Sequence, residues 1–94
     1  PLGGMGMSAA GFAELMDVCL TVASGAARGR LVAVLEGGYA ADGIAESTAA
    51  VVGRMLGRPF STIDAAPGPA FGALLETYRT MHSRYWPGLK SSAT

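Results

Sequence analysis

The feature that most constrains the fold is a short apolar run at residues 31–35, bounded by Gly29 and Gly37. Its sequence, LVAVL, is apolar without alternation, which is typical of a strand buried on both faces of a parallel sheet. A single strand cannot satisfy the hydrogen bonds at its own edges, and the chain contains no second convincing strand pattern. We therefore expect the partner strands to lie in sequence missing from this chain or in another chain.

Helical patterns surround this run. The first helix follows Ser8, a good N-cap residue, and the second spans about 42–56 with Asp42 as its expected cap. The third helix opens at Pro69, where a missing N–H costs nothing, and ends at Pro87. The order helix–strand–helix–helix predicts an α/β fold. The apolar stripe expected on the first helix comprises Phe12, Leu15, Met16, Cys19, Val22, Ala23 and Ala26.

The composition excludes several classes of protein. Half of the 94 residues are hydrophobic and 15% are charged, so we expect much of the apolar surface to be covered by something outside the chain. Seven basic residues balance seven acidic ones without a basic face, which argues against nucleic-acid binding. No apolar run approaches the roughly 20 residues of a membrane span, and no signal peptide opens the chain. With Cys19 expected to be a buried small hydrophobe, a cytoplasmic protein is predicted.

One candidate site is the opening loop. Gly4, Gly6 and Ala9 match the dinucleotide-binding pattern G-x-G-x-x-A, and Glu36 ends the predicted strand where such folds place a ribose-binding acid. The pattern requires a strand directly before the glycines, but the segment there begins with Pro1, which cannot donate to a central ladder. A plain loop is the alternative.

A second candidate is the run Gly37-Gly38-Tyr39 after the predicted strand. Two glycines let the backbone approach a bound group, and a tyrosine placed next to them can donate its hydroxyl to an oxyanion. The alternative is a Gly-Gly turn with the tyrosine packed on the end of the sheet. A third candidate, His82, is the sole histidine, and one histidine without further ligands cannot build a zinc site.

Three segments, in this order, resemble the histone deacetylase family: PLGG at 1–4, GRLVAVLEGGY at 29–39 and HSRYWPGL at 82–89. Ser8 and the pair at 11–12 fit the same pattern. The resemblance is closest to the class II branch and its bacterial relatives, including acetoin-utilisation and acetylpolyamine amidohydrolase proteins. It implies that the chain is the C-terminal portion of the arginase/deacetylase fold, with the parallel-sheet partners missing.

The resemblance also implies a zinc-dependent deacetylase in which two Asp and one His hold zinc and a His dyad activates water. Only the catalytic tyrosine transfers to this chain, as Tyr39, because the metal ligands would lie upstream of Pro1. Gly37 and Gly38 match the glycines that wall an acyl-lysine channel, and Met7 falls at the channel rim. A loop methionine packed on its neighbours is the alternative for Met7. The implied substrate is an acyl-lysine or an acylated small amine.

The chain is thus expected to be an incomplete catalytic domain that alone binds no catalytic zinc. Residues 1–57 would bear the active-site part, 58–68 a connector, 69–89 the C-terminal helix and 90–94 a tail. The expected partners are the missing N-terminal part of the domain and a further copy in a homo-oligomer. Two rivals remain: a dinucleotide-binding fragment, and a non-catalytic helical module that associates through its apolar faces.

Overall fold

The computed structural model describes residues 6–60 and 68–90. Three features of the sequence therefore lie wholly or partly outside the described residues. They are the PLGG motif at 1–4, the connector at 58–68, of which residues 61–67 are not described, and the tail at 90–94, of which residues 91–94 are not described. Gly4, the first glycine of the dinucleotide-binding pattern, also lies outside the described residues.

The chain divides into two compact units, Pro1–Ile63 and Asp64–Thr94. Among the described residues, the first unit holds two α-helices and the second holds one α-helix followed by a 3₁₀ turn. These elements are α1 (Ala9–Ala26), α2 (Ala41–Met55), α3 (Pro69–His82) and the 3₁₀ turn Pro87–Leu89.

The prediction of an α/β fold is wrong. Within residues 6–60 and 68–90 the structure is helical and contains no strand, so neither the helix–strand–helix–helix order nor the arginase/deacetylase sheet is present there. Residues 31–35 have no regular secondary structure, and Val32 and Val34 are 88% and 77% exposed. The apolar run signals a preference for burial. A strand, however, forms only beside a neighbour that completes its hydrogen-bond ladder, and the described residues provide none.

The start of α1 confirms the N-cap prediction. The Ser8 hydroxyl accepts a hydrogen bond from the Gly11 N–H at 3.1 Å, which satisfies one of the free donors of the first turn. The helix ends before Arg28 and Gly29, whose φ angles of 56° and 75° turn the chain into the left-handed region. The local signals at both ends of α1 were therefore sufficient to place it.

The burial predicted for α1 is only partly correct. Of the expected stripe, Met16 and Ala23 are buried, together with Gly11 and Ala13. Cys19 is exposed, so its prediction as a buried residue is wrong. Helical periodicity identifies apolar positions, but the width of the covered stripe depends on how much of the neighbouring surface is present.

The start of α2 corrects a second prediction. Ala40 is the N-cap and makes no side-chain capping bond, while Asp42 lies within the first turn, where its charge favours the helix dipole. The C-terminus is a Schellman motif built on Gly57, with φ of 76°. There the Arg58 N–H donates to the Gly53 carbonyl at 2.8 Å and the Gly57 N–H donates to the Arg54 carbonyl at 2.9 Å.

α1 and α2 pack against each other, and an ion pair joins them. Arg54 Nε donates to Asp17 Oδ1 at 2.7 Å, while Ala50 supplies the buried residue of α2. By length and mean hydropathy (1.3 over 18 residues) α1 also resembles a membrane-crossing helix.

α3 opens at Pro69 as predicted but ends at His82, earlier than Pro87. The N–H groups of Tyr85 and Trp86 both turn back to the His82 carbonyl, at 3.0 and 2.9 Å, and close the helix there. No residue of α3 is buried. Among its large apolar side chains, Phe71, Leu74 and Met81 are exposed.

Candidate functional site

The candidate site is the turn Gly37-Gly38-Tyr39, which leads directly into α2. Gly37 and Gly38 have φ angles of 69° and 103°, a region that residues with a side chain rarely adopt. Tyr39 follows the pair directly and lies one residue before the N-cap of α2. Tyr39 is 80% exposed, so its hydroxyl is open to a bound molecule.

The turn has contacts on both sides. A Cβ added to Gly37 would lie 3.9 Å from Cε2 of Tyr39, so the aromatic ring folds back beside the first glycine. A Cβ added to Gly38 would lie 2.8 Å from Cγ1 and 2.9 Å from Cδ1 of Ile44. A residue with a side chain at position 38 would therefore meet two obstacles. It would have to adopt a positive φ angle, and its Cβ would have to displace the side chain of Ile44.

The sequence interpretation missed Ile44, because its helical spacing placed it with the apolar stripe of α2. One local signal marks its position. Counted from the N-cap Ala40, Tyr39 is the N′ residue and Ile44 is N4, the two positions that form a hydrophobic staple at a helix start. The staple pattern indicates that Ile44 faces the incoming chain.

Met7, the predicted rim residue, lies beside the first turn of α1. A Cβ added to Gly11 would lie 2.5 Å from the Sδ atom of Met7, so the thioether covers this buried glycine, and the side chain is 46% exposed. Met7 is thus anchored at the start of α1, whereas the turn with Tyr39 is anchored at the start of α2. Its role as a rim residue remains a prediction.

The described residues do not fit a zinc ion. Among them, no group of three or more His, Cys, Asp or Glu side chains comes together. His82 stacks on Tyr78 with ring centroids 6.2 Å apart, and Asp17 is engaged by Arg54.

Each unit has an open depression among its described residues. The depression between α1 and α2 has a volume of about 510 Å³ and contains the Asp17–Arg54 pair beside Thr21. The depression after α3 measures about 530 Å³ and is lined mainly by apolar atoms of His82, Trp86 and the 3₁₀ turn. Tyr39 does not line the depression between α1 and α2.

No family model matches the chain, and no solved structure matches it significantly. The features of this chain that bear on function are the residue pattern at 29–39 and 82–89 and the geometry of Gly37-Gly38-Tyr39.

Proposed function

We propose that this chain supplies the oxyanion-stabilising tyrosine of a zinc-dependent amidohydrolase that acts on acyl-lysine or an acylated small amine. The observation that carries the proposal is Tyr39, exposed on a turn of two left-handed glycines within a segment that resembles the deacetylase family. An exposed phenol next to a bare backbone leaves room for an extended acyl chain to approach. A buried structural tyrosine would leave no such room.

The chemistry assigned to Tyr39 is hydrogen-bond donation. When water adds to the amide carbonyl carbon, the carbonyl oxygen gains negative charge, and the Tyr39 O–H donates to that oxygen. Collapse of the adduct then breaks the C–N bond, and the amine leaves with a proton. Because the bond to Tyr39 strengthens as charge develops, it lowers the barrier rather than merely binding substrate. The zinc ligands are assigned to residues outside this chain, as the resemblance implies.

The test is Tyr39→Phe in the full-length protein that contains this chain, assayed on a fluorogenic acetyl-lysine and an acetylated polyamine. We expect kcat to fall by about 100-fold, since loss of one oxyanion donor costs about 3 kcal/mol. The matched control is Tyr85→Phe, a tyrosine after α3 that is also largely exposed, which should leave kcat unchanged. An unchanged kcat in Tyr39→Phe would refute the role of Tyr39. Tight stoichiometric zinc on the 94-residue chain alone would refute the placement of the ligands outside it.

One observation favours a second candidate, a non-catalytic helical module. α3 buries no residue, and helices are the regular secondary structure of the described residues, so the exposed apolar side chains of α3 would form the binding surface of such a module. This candidate predicts a cooperative thermal transition of the isolated chain and a concentration-dependent size in gel filtration. By contrast, the dinucleotide-binding alternative loses its second strand, because residues 31–35 have no regular structure.

A further inference from the structure

The position of Tyr39 depends on what holds the turn that precedes it. Residues 31–36 offer little support, because they have no regular secondary structure and most of their side chains are exposed. On the other side, Tyr39 is two residues from α2, whose first bond runs from the Ile44 N–H to the Ala40 carbonyl at 2.9 Å. The helix is therefore the ordered neighbour of the turn.

Ile44 makes the contact between that helix and the turn. Its Cγ1 and Cδ1 atoms occupy the space into which a Cβ on Gly38 would project, at 2.8 and 2.9 Å. Isoleucine in a helix has one strongly preferred χ1 rotamer, so the Cγ1 atom of Ile44 has little freedom to move away from Gly38. The contact limits how far Gly38 can move toward α2, although glycine has wide conformational freedom.

We propose that Ile44 is a positioning residue that holds Gly38 against the first turn of α2 and thereby fixes where the Tyr39 hydroxyl lies. The structural half of this inference stands on the contact alone. Its catalytic half rests on the proposed function of Tyr39. Ile44 touches no substrate in this scheme and acts through Gly38 and Tyr39.

The structural half is tested by ¹⁵N relaxation of the full-length protein labelled at glycine and tyrosine. In Ile44→Ala we expect the order parameters of Gly38 and Tyr39 to fall from about 0.85 to below about 0.6, while Ile44→Val retains most of the ordering. The matched control is Val52→Ala, the same kind of truncation near the other end of α2. Unchanged order parameters in Ile44→Ala, or an equal fall in Val52→Ala, would overturn the proposal.

The catalytic half is tested by kinetics of the same variants. Ile44→Ala should lower kcat about 10- to 100-fold with little change in KM, because misplacing a catalytic group by about 1 Å has an effect of that order. Ile44→Val should recover most of kcat. If Tyr39→Phe lowers kcat but Ile44→Ala does not, Ile44 has no positioning role. If Tyr39→Phe itself changes nothing, the proposed function fails, and the relaxation data still decide the contact.

Discussion

Neutralising Asp17 tests how α1 and α2 are held together. Arg54 Nε donates to Asp17 Oδ1 at 2.7 Å, and Arg54 Nη1 donates to the Arg58 carbonyl at 2.6 Å. The Asp17 side chain is 44% exposed and that of Arg54 27%, so water screens the pair. We expect Asp17→Asn to lower the free energy of unfolding by about 0.5–1 kcal/mol. Arg54→Ala should lower it by about 1–2 kcal/mol, because it also removes the bond that braces the end of α2.

The assay is urea unfolding of the two single variants and the double variant, followed by far-UV circular dichroism. The double-mutant cycle cancels differences in helix propensity and isolates the coupling between the side chains, expected at about 0.5 kcal/mol. At about 1 M salt the coupling should largely vanish, since the Debye length falls to about 3 Å. The control is Glu76→Gln, which breaks a more exposed pair with Arg79 inside α3. If Asp17→Asn costs no more than Glu76→Gln, the ion pair does not join the helices.

Three further substitutions are judged by thermal melts of the chain. Ser8→Ala removes the cap of α1 and should lower stability by about 1 kcal/mol, and an unchanged melting temperature would show that the cap is dispensable. Gly57→Ala places a side chain at φ of 76° and should lower stability by about 1–2 kcal/mol. Gly25→Ala, inside α1 with open space around it, should instead raise stability by about 0.5–1 kcal/mol. Shifts of the same sign for Gly57→Ala and Gly25→Ala would contradict the assignment of helical and left-handed glycines.

The sequence was most informative where structure depends on neighbours along the chain. Ser8 predicted the start of α1, Pro69 the start of α3 and Gly57 the end of α2, because caps and left-handed glycines act within one helical turn. The same argument failed for Asp42, since the chain enters α2 at Ala40 and leaves the acid inside the first turn.

Predictions failed where structure depends on residues distant in sequence. The run at 31–35 predicts burial from its composition, but burial as a strand requires a partner for its backbone, and periodicity carries no information on that partner. Cys19 failed for a related reason, because its position on an apolar stripe does not say how wide a surface covers the stripe. The hydrophobic-staple spacing pairs Ile44 with Tyr39 and so indicates that Ile44 faces the chain entering α2, but it can be used only once the N-cap is known. The contact of Ile44 with the neighbouring Gly38 comes from the structure.

The candidate role of Tyr39 does not depend on the strand prediction that failed. From the sequence, Tyr39 was predicted to follow the carboxyl end of a strand, whereas in the structure it precedes the amino end of α2. The features that the chemistry needs are a bare backbone at Gly37 and Gly38, an exposed phenol and a rigid neighbour. The glycine φ angles and the contact of Gly38 with Ile44 support these features, and both lie within residues 37–44. A tyrosine anchored in this way can be held at a fixed point whether or not residues 31–35 are paired.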